Sequence, residues 1–90
     1  MDMHQTKQIY YNQVKGEISE INNTNDFPSV VLTVGHESKR SVNICFKKNL
    51  LNNFISKYKV GDSVAIKFFV SSRFKHGRWY TMVNALEFGE

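Results

Sequence analysis

The sequence contains a single cysteine and no long apolar segment. Cys45 cannot form a disulfide within the chain, and residues 1–8 lack the apolar run of a signal peptide. No stretch approaches the ~18 apolar residues that a membrane-spanning helix requires. We therefore expect a soluble, cytoplasmic protein that has no membrane partner.

Catalytic and metal-binding motifs are also missing from the sequence. The histidines His4, His36 and His76 have no carboxylate or second cysteine at ligand spacing, which argues against a zinc site. Neither a glycine-rich phosphate loop nor a nucleophile elbow is present. Cys45 lies beside an apolar residue in a predicted strand, a setting typical of packing rather than nucleophilic chemistry. The sequence therefore predicts a protein that is not an enzyme and holds no cofactor or metal.

Acidic residues are scarce in one half of the chain. Residues 39–78 carry ten lysines and arginines and a single acid, Asp62, whereas residues 1–38 carry two lysines and five acids. A chain polarised in this way presents a positive field if its basic half lies on one surface, and nucleic acid is the commonest intracellular polyanion. Lysines also serve solubility on any surface, so composition alone does not decide between the two interpretations.

The length and composition fit one small domain. Ninety residues, of which 41% are hydrophobic, suffice for a single packed core. Residues 1–8 are polar without periodicity, and we expect them to form a flexible arm before one domain over residues 9–90.

The hydrophobic pattern predicts five strands and one helix. Alternation indicates strands over residues 9–21, 29–34, 40–46, 63–73 and 78–88. Between them, residues 47–58 place apolar side chains at steps of three and four, which predicts a helix with one apolar side. That side comprises Leu50, Leu51, Phe54, Ile55 and Tyr58. One slip in the alternation of the first strand suggests a β-bulge, and Gly16 suits a bend there.

This order of elements indicates an OB-fold, a five-stranded Greek-key barrel in the all-β class with a helix between strands three and four. The helix would plug one end of the barrel. An SH3-like barrel is the alternative, although it normally lacks a full helix at that place.

The densest run of cations and rings is RFKHGRWYTMVNAL, residues 73–86. In an OB barrel this is the loop between strands four and five, which flanks the face where oligonucleotides bind. Cations follow phosphates there, and bases stack on rings with about 1–3 kcal/mol per base. The predicted contacts are Arg73, Phe74, Lys75, His76, Arg78, Trp79 and Tyr80.

Trp79 and Tyr80 are neighbours on a strand, so their side chains point to opposite faces. If Val83 and Ala85 face the core, parity places Trp79 inside and Tyr80 outside, and a bulge would reverse this.

Weaker candidates lie on other strands and loops. Phe69 shares a strand face with Lys67, and it is either a stacking platform or part of an oligomer contact. Lys39 and Arg40, at the turn between strands two and three, either touch phosphate or are only solvated. Phe27, in the first loop, either stacks on a base or tucks against the barrel end.

Two further surfaces could serve assembly. The outward side chains of strands two and three form a smooth, uncharged face that could accept a polynucleotide or a second subunit; they are Val31, Thr33, Ser41, Asn43 and Cys45. Tyr10 and Tyr11, where the first strand begins, could form an oligomer edge.

Four segments carry a resemblance to known proteins: KGEISEI (15–21), ICF (44–46), KVGDSVAIKFFVSSR (59–73) and HGRWYTMVNA (76–85). They resemble a family of small bacterial and phage OB-fold domains of unassigned function, similar in turn to bacterial single-stranded DNA-binding proteins. The match spans roughly residues 14–88, and VGD and GRWYT are its most specific pieces. Those DNA-binding proteins usually carry a disordered tail with an acidic tip that recruits partners, whereas this sequence ends at Glu90. The resemblance therefore does not imply recruitment by that route.

We expect a non-catalytic OB-fold protein that binds single-stranded DNA with little sequence preference during replication, recombination or repair. Homo-oligomers are expected, because small OB proteins often need several copies to cover a strand. Two alternatives remain: a protein-interaction or oligomerisation module of a replication complex, and a binder of single-stranded RNA.

Overall fold

The computed structural model describes residues 12–35 and 37–89. In chain order the elements are β1 (Asn12–Asn22), β2 (Ser29–Val34), β3 (Arg40–Cys45), α1 (Lys48–Ile55), β4 (Ser63–Lys75) and β5 (Arg78–Gly89). The strands close into a barrel in the order β1-β2-β3-β5-β4, in which β4 also pairs with β1. All pairs are antiparallel except β3 with β5, which is parallel. This architecture confirms the predicted OB-fold barrel.

Three predictions fall outside the described residues: the flexible arm over residues 1–8, the strand residues 9–11 with both tyrosines, and the positions of His4 and His36. The helix covers residues 48–55 rather than the predicted 47–58. β4 extends two residues further into the connecting turn than predicted, to Lys75, whereas β5 begins at Arg78 as predicted and ends one residue later, at Gly89.

The predicted bulge in β1 is confirmed. The pairing of β1 with β2 shifts register between Ile18 and Glu20, which leaves Ser19 as the extra residue. Gly16 lies where the β1 and β2 backbones approach closely, since a Cβ there would stand 2.6 Å from the carbonyl oxygen of Thr33. A residue with a side chain would force the two strands apart.

The core fills the barrel and is closed at one end by α1. Its buried members are Ile18, Val30, Leu32, Ile44, Phe46, Leu51, Phe54, Val64 and Ile66. Phe54 is the centre of the closure, because its ring contacts Phe46, Tyr58 and Phe88 at centroid distances of 5.2, 5.2 and 5.0 Å. The prediction that Ile55 helps to plug the barrel is wrong: it is the last helical residue and its side chain is 38% exposed.

The turn after α1 is fixed to the bulged part of β1. The Gly61 N–H donates to the carbonyl oxygen of Ile18, and the Ile18 N–H donates to that of Asp62, both at 2.8 Å. These bonds position the start of β4 beside β1. Within the described residues, no helix has the length and apolar character needed to span a membrane.

The second half of β4 and the first half of β5 extend past the barrel as a two-stranded ribbon. Residues 70–81 are exposed throughout, and we call them the hairpin arm. Their strands pair in continuous register from Val70 opposite Val83 to Lys75 opposite Arg78. The turn consists of His76 and Gly77, with φ of 53° and 79°. Two consecutive left-handed residues form the tight turn that matches the twist of a hairpin.

Candidate functional site

The candidate site lies where β3 and β5 close the barrel. These two strands pair at one position among the described residues, Cys45 opposite Asn84. The residues of β5 that precede Asn84 pair with β4 alone. The hairpin arm therefore separates from β3 beyond this seam and leaves an open groove between them.

Alternation divides the side chains of the arm and of the strands at its base between two faces. Residues opposite each other in an antiparallel pair point to the same side. The register therefore places Phe69, Ser71, Arg73, Lys75, Arg78, Tyr80, Met82 and Asn84 on one side, which we call the groove face. It places Val70, Ser72, Phe74, Trp79, Thr81 and Val83 on the other, which we call the back face. All three cations of the arm lie on the groove face.

The groove face borders a volume of about 650 Å³ that we call the basic groove. Its lining residues are Phe27, Ser29, Asn43, Cys45, Arg73, Lys75, His76, Tyr80, Thr81 and Met82. β2 and β3 supply the uncharged floor, and the arm supplies the basic wall. No acidic residue is among these lining residues of the described chain, so the groove attracts anions.

Phe27, in the loop before β2, lines the basic groove together with residues of the arm. Its side chain is 78% exposed, so it does not tuck against the barrel end. The Phe27 N–H donates to the hydroxyl of Thr24 at 3.2 Å. The Lys48 ammonium group of α1 donates to the Thr24 carbonyl oxygen at 3.3 Å and to the Asn23 side-chain oxygen at 2.5 Å. These bonds hold the loop that presents the ring.

Tyr80 is the aromatic residue that the arm contributes to the basic groove. It is on the outer side of β5, as predicted, and it is 43% exposed. The guanidinium carbon of Arg78 lies 5.7 Å from the centre of its ring, within the range of a cation–π contact. A ring and a cation are thus held side by side at the edge of the groove.

Trp79 is not in the core, contrary to the parity prediction. It lies on the back face with 68% of its side chain exposed, because the barrel ends before this part of β5. Trp79 and Phe74 are directly opposite each other, with ring centroids 5.3 Å apart and ring planes at 63°. The two rings form an exposed aromatic pair on the side of the arm away from the basic groove.

A second groove, of about 490 Å³, lies on the helix side of the β3–β5 seam, and we call it the seam groove. Its lining residues are Asp26, Phe27, Pro28, Cys45, Phe46, Lys47, Asn49, Leu50, Asn53, Phe69, Met82, Asn84, Ala85 and Leu86. Phe27, Cys45 and Met82 line both grooves, which are therefore continuous.

Three of the predicted cations lie apart from both grooves. Lys67 faces a separate small hollow and forms an ion pair with Glu87 at 3.1 Å. Lys39 and Arg40 lie at the start of β3, whereas the groove floor is formed by its last residues. Sequence reasoning missed Met82 and Asn84, and the strand register that pairs Asn84 with Phe69 was the signal that could have found them.

The described residues contain no group of three or more histidine, cysteine, aspartate or glutamate side chains that could hold a metal ion. Cys45 is a free thiol and is half-buried in the groove floor. The chemistry that the site offers is therefore that of cations, aromatic rings and amides.

Solved structures share this fold. The mitochondrial single-stranded DNA-binding protein Rim1 of S. cerevisiae superposes with a TM-score of 0.68 and 13% identity, covering 91% of this chain and 92% of Rim1. A small single-stranded DNA-binding protein of Mycoplasma pneumoniae gives 0.59 and 14%, covering 92% and 94%. The corresponding small protein of Streptomyces coelicolor gives 0.50 and 17%, covering 89% and 92%.

No protein-family model matches the sequence, and no curated protein matches it. At these identities the structural likeness establishes the fold alone. The fold of this chain is that of small single-stranded DNA-binding proteins, as the sequence resemblance indicated.

Proposed function

We propose that the chain is a non-catalytic protein that binds single-stranded DNA in the basic groove. The observation that carries this proposal is the distribution of side chains between the two faces of the arm. Arg73, Lys75 and Arg78 share one face with Tyr80, and that face borders the basic groove. Cations and rings on one surface are what an unpaired strand requires, because phosphates and bases alternate along it. The folds of the solved DNA-binding proteins agree with this proposal.

The cations of the arm are placed to contact successive phosphates. Arg73 and Lys75 are two residues apart on β4, so they project about 7 Å apart along the same face. Arg78 begins β5 directly opposite Lys75, and His76 lies at the turn. A strand lying along the arm would meet these groups with its backbone while its bases turned toward the floor.

Bases would stack on the rings that line the groove. Tyr80 from the arm and Phe27 from the loop before β2 both line the groove, and Asn43 and Cys45 are uncharged residues of its floor. Stacking on rings tolerates any base, since every base has a π-face. We therefore infer little sequence preference for most positions of the bound strand.

The aromatic pair of Phe74 and Trp79 is a candidate for a second stacking surface. It would take bases from a strand that passes the tip of the arm between Lys75 and Arg78. Lys39 and Arg40 remain candidate phosphate contacts for a longer strand. Lys67 is the weakest candidate, because a carboxylate already neutralises it.

We infer a role in replication, recombination or repair of DNA in the cytoplasm, where single strands are transient and need protection. The solved proteins with this fold are described as single-stranded DNA-binding proteins, and one of them is mitochondrial. The lone free cysteine suits a reducing compartment.

The sole cysteine of the chain provides a direct test. Cys45 lies in the floor of the basic groove, so a bound oligonucleotide should slow its labelling by a maleimide. The control is Cys45→Ser combined with Ser63→Cys, which moves the thiol to an exposed position at the start of β4. Protection of Cys45 alone is expected. Equal labelling with and without saturating oligothymidine would remove the proposal.

A protein-interaction module that forms homo-oligomers is the second candidate function. The exposed apolar side chains of the back face favour it, because the paired rings of Phe74 and Trp79 lie in solvent, with Val70 exposed on the same face beyond the Ser72–Thr81 pair. Trp79 is the only tryptophan, so its fluorescence reports on the back face. Quenching of this fluorescence by an oligonucleotide, with no change in the molecular mass of the protein assembly, indicates that bases stack on Trp79. A change of fluorescence on dilution of the protein alone, with a matching change in its sedimentation, indicates that a second copy covers the back face.

Parallel titrations with DNA and RNA oligonucleotides of the same sequence would establish which sugar the protein prefers.

A further inference from the structure

We propose that the seam groove holds one base of the bound strand and selects adenine. This inference rests on the proposed function, because the base must arrive on a strand that already lies in the basic groove. It adds a position of base recognition to a surface that is otherwise indifferent to sequence.

The continuity of the two grooves provides the path. Phe27, Cys45 and Met82 line both, so a strand in the basic groove reaches the seam groove without crossing a ridge. Phe27 is highly exposed at this junction and can separate one base from the next.

The walls of the seam groove suit a flat, apolar ring. Leu50, Ala85 and Leu86 supply aliphatic surface, and Phe69 supplies an aromatic ring. Phe69 is half-buried on the groove face, beside Asn84 on the paired strand. A purine stacks more strongly than a pyrimidine on such a surface because its ring system is larger.

Amides supply the hydrogen-bonding groups of the seam groove. The Asn84 side-chain nitrogen, which has two N–H groups to donate, lies within hydrogen-bond distance of three acceptors: the Ser71 hydroxyl at 2.9 Å and the carbonyl oxygens of Met82 at 3.2 Å and Phe69 at 3.4 Å. These bonds fix the amide, and its Oδ1 has no donor among the described residues. Asn84 is half-buried, but its Oδ1 is open to solvent, since no buried side-chain polar atom of the described residues lacks a partner. A ligand in the seam groove can therefore reach this oxygen and donate to it.

Two more amides lie on α1. Asn49 and Asn53 are one helical turn apart and both line the seam groove. Neither side chain has a hydrogen-bond partner within residues 12–35 and 37–89. Each can therefore act as donor and acceptor at once toward a base.

An asparagine amide matches adenine in this respect. Its oxygen accepts from the exocyclic amino group while its nitrogen donates to a neighbouring ring nitrogen. Thymine has no amino group, so it cannot satisfy the acceptor in the same way. A fixed acceptor on Asn84 and free amides on α1 therefore favour a base that has an amino group beside a ring nitrogen, and the larger ring system favours adenine over cytosine.

The test uses oligothymidine of about 16 nucleotides, a length that covers one OB domain. One central thymine is replaced by adenine, cytosine, guanine or unsubstituted purine, which keeps the ring system and lacks the amino group. Adenine should raise the affinity of the wild-type chain at least about fivefold over thymine, and the other replacements should not. Purine binding as tightly as adenine, or any other base doing so, would overturn the inference.

Variants of α1 locate the effect. Asn49→Ala with Asn53→Ala should abolish the preference for adenine, and both changes favour helix, so the fold is not at risk. Asn52→Ala is the matched control, because Asn52 is exposed on the same helix and does not line the groove. A preference for adenine that survives the double change contradicts the inference.

The wild-type chain distinguishes failure of this inference from failure of the proposed function. If it binds oligothymidine without preferring adenine, this inference fails and the proposed function stands. If it binds no oligonucleotide, the proposed function itself fails.

Discussion

Replacing Arg73, Lys75 and Arg78 together by alanine should weaken single-stranded DNA binding and flatten its dependence on salt. All three side chains are exposed on the groove face of the hairpin arm, and none forms an ion pair with a described carboxylate. They are therefore free to replace the counterions of bound phosphates. The arm's cross-strand contacts on its back face are untouched by these changes, so the ribbon should persist.

The magnitude follows from counterion release. For a single strand, the slope of log K against log salt changes by about 0.7 for each neutralised phosphate. If each cation holds one phosphate, the triple variant should have a slope smaller by about 2. The wild-type protein should then lose about 20-fold more affinity than the variant between about 50 and 200 mM salt.

Fluorescence anisotropy of labelled oligothymidine, titrated at several salt concentrations, measures both slopes. The matched control is Lys15→Ala, Lys57→Ala and Lys59→Ala, which removes the same charge from positions outside both grooves. Lys59 loses only an exposed pair with Asp62, whose contribution to stability is small. An unchanged slope in the groove variant, or an equal reduction in the control, would refute the assignment of phosphate contacts to the arm.

Three further changes probe the rings, the turn and the core. Tyr80→Ala should weaken oligonucleotide binding by about 1–3 kcal/mol while Tyr80→Phe retains it, as titration calorimetry would show; equal losses would argue against stacking. Gly77→Ala, at φ of 79°, should cost about 1–2 kcal/mol locally and speed amide exchange in the hairpin arm but not in the barrel; unaltered exchange in the arm would contradict the turn geometry. Phe54→Ala should lower the free energy of unfolding by about 3–5 kcal/mol in urea titrations, and a loss well below that range would show that α1 does not close the core.

The barrel could be predicted from the sequence because each of its elements has a strong period. β2 was predicted at its exact bounds, and its inward residues Val30 and Leu32 are fully buried. The change from a period of two to three or four marked α1, whose Leu51 and Phe54 are buried as expected. Local alternation and global packing agree at these positions, so local pattern was sufficient.

Trp79 could not be placed by the same rule. Parity correctly puts it on the side of Val83, which packs against the core. That side is an interior only where other strands face it, and the arm extends beyond them. The available signal was length, since β4 and β5 have 13 and 12 residues whereas β2 and β3 have six each.

The continuity of the two grooves could not be predicted from the sequence either. It depends on the single pairing of Cys45 with Asn84, which joins strands that are separated by α1 and β4. The position of Lys67 also depends on strand register, which the sequence does not reveal. It shares strand parity with Phe69, but a register shift between Lys67 and Phe68 separates them, and Lys67 lies opposite Glu87.

The charges of the hairpin arm favour binding of a polyanion but lower the stability of the free arm. A two-stranded ribbon is marginal by itself, so it depends on its cross-strand pairs. The back face supplies these pairs through the rings of Phe74 and Trp79 and a 3.0 Å hydrogen bond between the hydroxyls of Ser72 and Thr81.

On the groove face, the pair next to the turn is unfavourable instead. Lys75 and Arg78 lie directly opposite each other, and like charges in that position destabilise a ribbon. Nothing in the ribbon's own folding requires two cations there. A phosphate bound between them would remove the repulsion, so the free protein carries a local strain that a polyanion relieves. The back face holds the arm together, and the groove face is thereby free to carry charges that only a bound strand can satisfy.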